Sequence, residues 1–186
     1  MDPRVAEVVT RFMSVEFGNA GSRNHGYGIR ARRAVEQARN QVAGVVGATR
    51  GEVVFTSGAT ESNNLAILGL AEYGVKSGRR HLVTTAIEHH AVLGPMEALE
   101  KRGFELTVVG PTAGGWVEAE AVRAAVRADT LLVSVMQVNN ETGVIQPVEE
   151  IARALAGHEA YFHVDAAQGF GKVVGGGGGS RIRGLI

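Results

Sequence analysis

The sequence predicts an α/β fold: a mostly parallel sheet with helices on both faces. Two observations carry this expectation. From Glu52 onward, short β-type runs alternate with helical stretches, the signature of strand-helix-strand units. The runs are also near-continuously apolar rather than alternating, as befits strands covered on both faces. A third observation says where such a sheet would work. The apolar run Tyr161-Phe162-His163-Val164 ends on an acid, Asp165, with Gln168 three residues on. Open α/β sheets bind ligands at the carboxyl ends of their strands.

Taken in order, the chain begins with Pro3 at the start of a helical pattern running to about Phe17. Val5, Val8, Val9, Phe12 and Met13 fall on one face of it. Gly18-Asn19-Ala20-Gly21-Ser22 breaks the pattern. A longer helix rich in Arg and Ala follows, from about Gly28 to Val46. Strands are expected at Val53-Phe55, Leu82-Thr85, Glu105-Val109, Thr130-Val135 and Tyr161-Val164. Helices are expected near 60–76, 90–102, 117–127 and 147–156. Domain organisation is a core over 1–174 and, over 175–186, a glycine-rich loop and the start of a further strand; Gly175 to Gly179 are consecutive glycines. Such a run cannot hold a fixed backbone cheaply and reads as a flexible loop.

Composition narrows the function classes. The 186 residues are 45% hydrophobic, enough for one compact domain with a sizeable core. Lys plus Arg and Asp plus Glu are 19 each, so the formal net charge is zero. Nothing in that balance favours direct nucleic-acid binding or a charged membrane surface. No apolar run reaches the ~18 residues of a membrane span, and no signal pattern opens the chain. A cytoplasmic protein is expected. There is no cysteine, which removes disulfides, thiolate metal sites and a cysteine nucleophile from this stretch.

Four segments carry chemistry, and all follow expected strands. Thr56-Ser57-Gly58-Ala59-Thr60-Glu61-Ser62-Asn63 leads into a helix whose first amides suit a phosphate dianion. An ordinary turn capped by Thr60 fits the same residues. Glu88-His89-His90 places a histidine just past a strand end, where it can stack on a planar cofactor or move protons. A hydrogen-bonded histidine at a helix start is the plainer alternative. No metal is expected there, because neighbours in an extended segment point opposite ways. Val138-Asn139-Asn140-Glu141-Thr142-Gly143 offers amides to a ring hydroxyl or a carboxylate, or is simply a polar turn. Asp165 suits a cationic ring nitrogen, or caps the next turn. Their shared placement favours one composite site.

These segments resemble the cysteine desulfurases, in the class V branch of the aminotransferase fold. The resemblance rests on Gly18-Asn19 with His25 and Gly28, on Thr56 to Asn63, on Glu88-His89, on Val138 to Glu141 with Gly143, and on His163-Val164-Asp165-Ala166 with Gln168. The wording is similar to the desulfurases that serve DNA phosphorothioation. The resemblance implies the large, cofactor-binding domain of the fold-type I pyridoxal-phosphate enzymes. Ala59 and Thr60 would bind the phosphate of pyridoxal 5'-phosphate. His89 would stack on its ring and help move protons. Asn140 would face the ring hydroxyl and the substrate carboxylate. Asp165 would pair with the ring nitrogen, and Gln168 would bond the ring hydroxyl. The implied reaction takes sulfur from L-cysteine as a protein persulfide and leaves alanine. A homodimer and a sulfur-acceptor or iron-sulfur protein are the implied partners.

The sequence departs from that pattern in places. The lysine that carries the cofactor is expected after a strand beyond Gln168, and Lys76, Lys101 and Lys172 do not sit in such a motif. The persulfide cysteine is not among these residues either. Ala20-Gly21 stands where the family has Pro-Ser. The core is expected to be incomplete at both ends, and these 186 residues alone are expected to lack desulfurase activity. Two alternatives remain: a related class V lyase, such as one acting on selenocysteine, and an inactive binding or structural module.

Overall fold

The computed structural model describes residues 1–173. The glycine run and the residues after it, assigned above to a loop and the start of a further strand, lie outside the described residues. The chain divides between Phe55 and Thr56 into two compact units.

The first unit is helical. Helix α1 spans Pro3–Ser14, and Asp2 caps it by accepting from the Arg4 amide at 2.8 Å. It ends three residues earlier than the periodicity suggests. Its apolar stripe is uncovered among the described residues, with Met13 78% exposed. Helix α2 spans Gly26–Val46, starting at His25, whose Nδ1 accepts from the Gly28 amide at 3.1 Å. The segment between them folds against the start of α2. A Cβ on Gly28 would lie 2.7 Å from the Ser22 carbonyl oxygen, so only glycine fits there. The expected strand at Val53-Phe55 is not formed. Thr49 and Glu52 instead close a single 3-10 turn over Arg50–Glu52, the Glu52 carboxylate accepting from the Thr49 amide and hydroxyl at 2.7 Å. Val54 and Phe55 then lie outside any helix or strand and are exposed, without a strand partner among the described residues.

The second unit is the α/β body. Helix α3 (Ala59–Gly69) and helix α4 (Ala71–Ser77) replace the single helix expected over 60–76. Strand β1 (His81–Thr85), helix α5 (His90–Glu100), strand β2 (Glu105–Val109) and helix α6 (Ala119–Ala125) follow. Strand β3 (Thr130–Met136), helix α7 (Val148–Ala154) and strand β4 (Tyr161–Asp165) complete it. The sheet order is β2-β1-β3-β4 and every pairing is parallel.

Both faces of the sheet are covered, and the period of two along each strand decides which side chain goes where. Val83, Val133, Val135, Phe162 and Val164 pack with Val122 of α6 and Val148 and Ile151 of α7. Leu82 and Leu132 pack with Ile67 of α3, Ala71 of α4 and Val92, Met96 and Leu99 of α5. The register steps from His81↔Thr130 to Leu82↔Leu132. Leu131 is therefore an extra residue, a bulge that lets two consecutive leucines serve the same core. Each fully buried side chain of this size contributes about 1.5–3 kcal/mol by removal from water.

Gly74 of α4 sits against that core. A Cβ there would lie 2.7 Å from Leu131 Cδ2, 2.8 Å from the Arg79 carbonyl oxygen and 2.9 Å from the Phe104 ring. Helix preference alone would make Gly74→Ala stabilising by about 1 kcal/mol. Overpacking, at about 1–3 kcal/mol, acts against a backbone atom that cannot swing away. We expect Gly74→Ala to lower the stability measured by urea unfolding. Unchanged or increased stability would contradict the packing described.

Candidate functional site

A parallel sheet puts all its strand C-termini along one edge. Here that edge is Thr85, Val109, Met136 and Asp165. The segments read from sequence as chemical follow three of these ends: Glu88-His89 after β1, Asn139–Gly143 after β3, and Ala166–Gln168 after β4.

Asp165 is the last residue of β4, opposite Met136 of β3, and 8% exposed. Burying a carboxylate is expensive unless donors meet it. Two do. Its Oδ2 accepts from Asn63 Nδ2 of α3 at 2.8 Å, and its Oδ1 accepts from the Ala167 amide at 3.0 Å. The second bond is the turn cap that the sequence also suggested. The first was not expected. Asn63 is a poor helix former placed at a buried position, and that mismatch is the signal that could have found it.

The Asn63 bond ties the N-terminal half of α3 to the carboxyl edge of the sheet. Gly58, not Thr60, is the N-cap, and the first intrahelical bond runs from the Ser62 amide to the Gly58 carbonyl. The amides of Ala59, Thr60 and Glu61 precede that bond and are free to meet an anion. A Cβ on Gly58 would meet nothing within 4 Å, so the approach is open. The Glu61 carboxylate turns back to accept from the Ser57 amide and hydroxyl at 2.6 Å, and these bonds hold its pKa below the usual value.

His89 is the N-cap of α5, its Nδ1 accepting from the Ala91 amide at 3.1 Å. In the neutral ring the proton is then on Nε2. This is the plain role the sequence allowed, and it leaves the exposed ring face available. Thr60, Asn64 and His89 line one cleft of about 390 Å³, with His90, Gly94 and Pro95. The structure thus brings the phosphate-type helix end and the histidine together. Asp165 does not line this cleft; it is hydrogen-bonded to Asn63 of the same helix.

Asn140 and Gln168 are exposed on the same edge. Neither is tied to the cleft by a hydrogen bond among the described residues. Their neighbours do the structural work. Asn139 Nδ2 donates to the Ile87 carbonyl at 3.0 Å, and its Oδ1 accepts from the Glu141 and Thr142 amides at 3.0 and 2.9 Å. Gly143, at φ +73°, closes this turn in the left-handed region. Asn139 thereby ties the turn holding Asn140 to the segment before His89.

Two buried ionisable groups lie close by. Glu88 Oε1 accepts from the Thr85 hydroxyl at 2.6 Å and the Met136 amide at 2.9 Å. Burial pushes Glu88 up to about 7; these bonds oppose the shift, and the Asp165 charge adds to it. His163 of β4 shares a 2.8 Å hydrogen bond between Nδ1 and Ser134 Oγ. Burial lowers it to about 4. Among the described residues, no group of three or more His, Cys, Asp or Glu is placed to hold a metal ion.

The two shifts act oppositely on stability. Glu88 binds its proton more tightly folded than unfolded, so its contribution is full below its ordinary value of 4.5 and is lost as pH rises to about 7. His163 binds its proton less tightly folded, so stability falls as pH drops from 6.5 to about 4. Each is worth about 3 kcal/mol over its range. Between pH 4.5 and 6.5 they offset one another. Glu88→Gln removes one side of that balance. Relative to wild type, its unfolding free energy should rise by about 1.4 kcal/mol per pH unit through this window. Urea titrations of both proteins across that range measure it, and a pH-independent difference would contradict the burial argument.

Comparison with known proteins matches residues 1–174 to the family described as aminotransferase class-V. The chain is 53% identical over 173 residues to the cysteine desulfurase IscS of Methylococcus capsulatus, covering 93% of this chain and 43% of that protein. It is 49% identical over 175 residues to the IscS of Vibrio cholerae, with the same coverage. Among solved structures it is similar to DndA from Streptomyces lividans, with a TM-score of 0.87 and 59% identity, over 92% of this chain and 48% of that one. It is also similar to SspA in complex with cysteine, with a TM-score of 0.84 and 41% identity, over 90% and 48%. The chain spans less than half the length of these relatives.

Proposed function

The chain belongs to the class-V aminotransferase family, and from that membership we propose that it is the cofactor-binding part of a pyridoxal-phosphate-dependent cysteine desulfurase. The reaction is release of sulfur from L-cysteine as a protein persulfide, with alanine as co-product. The names of the relatives support this activity, and the SspA complex with cysteine supports the substrate. The single observation that carries it is Asp165: a buried carboxylate at the end of β4, hydrogen-bonded to Asn63 of the helix whose Thr60 lines the neighbouring cleft.

The residues present fit the ring and phosphate ends of pyridoxal phosphate. When bound, that cofactor supplies an electron sink for bonds at the substrate's α-carbon. The amides of Ala59 and Thr60, with the Thr60 hydroxyl, would hold the phosphate. The helix dipole adds about 0.3–1 kcal/mol there. Asp165 would hold a proton on the ring nitrogen, and the Asn63 and Ala167 donors fix its orientation. His89 would cover the ring and shuttle protons. Asn140 would orient the substrate carboxylate and the ring hydroxyl, which Gln168 would also bond.

The wider assignment follows the same reading. The likeness to DndA supports a place among the desulfurases of DNA phosphorothioation. A cytoplasmic homodimer passing sulfur to an acceptor or iron-sulfur protein is proposed, without direct contact to nucleic acid or a membrane. No described helix is long and apolar enough to cross a membrane.

The test uses the full-length protein. Wild type should bind pyridoxal phosphate and release sulfide and alanine from cysteine. Asp165→Ala should lose a charge-assisted interaction of about 1.5–3 kcal/mol, a fall of roughly tenfold or more in cofactor affinity. Turnover should fall further, because the ring nitrogen no longer stays protonated. Wild-type sulfide release by Asp165→Ala would sink the assignment of Asp165.

A further inference from the structure

Glu88 stands apart from the roles given so far. It lies between β1 and the first residue of the α5 cap, and it is 7% exposed. One oxygen is fully used: Oε1 takes the Thr85 hydroxyl from its own strand end and the Met136 amide from the end of β3. Met136 is also the register partner of Asp165. One carboxyl oxygen therefore joins the end of β1, the end of β3 and the residue before His89, opposite the start of the Asp165 turn. Asn139 reinforces the tie from the β3 side through the Ile87 carbonyl.

The other oxygen, Oε2, is buried with no hydrogen-bond partner among the described residues. An anionic oxygen without donors, in the field of a second carboxylate, is the costliest state available to this group. Binding a proton removes that cost without disturbing the two bonds at Oε1. The ionisable groups around Glu88 do not offer an alternative counter-charge. β4 contributes Asp165, which opposes ionisation, and His163, which burial keeps neutral down to about pH 4. α5 begins with His89 and His90, both exposed. β1 and β3 contribute the Thr85 hydroxyl and the Met136 amide.

We propose that Glu88 is a positioning residue for cofactor binding: a neutral, proton-bearing carboxyl that pins the segment ahead of His89 to the end of β3 and leaves the charge of the Glu88–Asp165 pair on Asp165. It touches neither ring nor substrate. It acts by fixing where His89 stands relative to Asp165, and by keeping a second negative charge away from the acid that meets the ring nitrogen. The inference rests on the proposed cofactor site and adds a residue to it.

Two variants of the full-length protein separate the parts of this idea. Glu88→Gln keeps an acceptor for Thr85 and Met136 and places a neutral donor where Oε2–H stands. Glu88→Ala removes the tie. At pH 6 the wild-type protein, without cofactor, should show the infrared carbonyl stretch of a protonated carboxyl, and Glu88→Gln should lose it. Titrated with pyridoxal phosphate, Glu88→Gln should stay within about threefold of wild-type affinity. Glu88→Ala should lose at least tenfold, with a changed absorbance of the bound cofactor. The proposal is overturned if the infrared band is unchanged in Glu88→Gln, if Glu88→Gln loses as much affinity as Glu88→Ala, or if Glu88→Ala keeps wild-type affinity and absorbance. Should Glu88→Ala fail to fold, the band and the Glu88→Gln titration still decide. A wild-type protein that binds no pyridoxal phosphate overturns the proposed function instead, and the infrared band still reports the state of Glu88.

Discussion

The hydrogen bond from Asn63 to Asp165 is the constraint on which the site depends. An acid at the end of a doubly covered strand has to be met by donors, and one of them comes from 102 residues away in sequence. Meeting it holds the N-terminal half of α3 at the carboxyl edge of the sheet. Thr60, in the first turn of that helix, lines the cleft that His89 also lines. Asp165 and the N-terminus of α3 are thus set at a distance fixed by one helix rather than by two independent loops.

Behind the edge lies a layer of neutral polar side chains between strands. Ser134 and His163 share a hydrogen bond, and the Thr84 hydroxyl donates to the Ser134 carbonyl. At the opposite end of the sheet, His81 bridges Thr130 and Thr107 at 2.8 Å on each side. Burial, followed by the positive field of Arg127, lowers its pKa. Buried polar groups satisfied in this way fix strand register as well as hydrophobic contacts do, since a slip would orphan them. Glu88 belongs to the same layer but is only half satisfied. This sets it apart from the histidines and makes its protonation matter to its neighbour.

Much of this was legible in the sequence because the strands are buried on both faces and read as apolar runs. β2 was placed to the residue, and β1, β3 and β4 to within one. Val53-Phe55 has the same composition but follows the 3-10 turn closed by Thr49 and Glu52 and pairs with no strand among the described residues. The single helix read over 60–76 is two, with Leu70 both ending α3 and preceding α4. Of the candidate site, His89 lies just past β1 and Asp165 ends β4 as the sequence placed them, whereas no strand precedes Thr60 among the described residues. Asn63 and Glu88 were visible as letters but not as roles. Their meaning lies in long-range partners, Asp165 and Met136, that no local pattern encodes.

The central claim is that Asp165, held by Asn63 and Ala167, keeps a cationic ring nitrogen in place. The most direct measurement is the ¹⁵N chemical shift of ring-labelled pyridoxal phosphate bound to the full-length protein. The account predicts a protonated ring nitrogen throughout the pH range in which the protein stays folded, with that proton lost in Asp165→Asn. A ring nitrogen that is unprotonated in the wild-type complex, or equally protonated in both proteins, would contradict it.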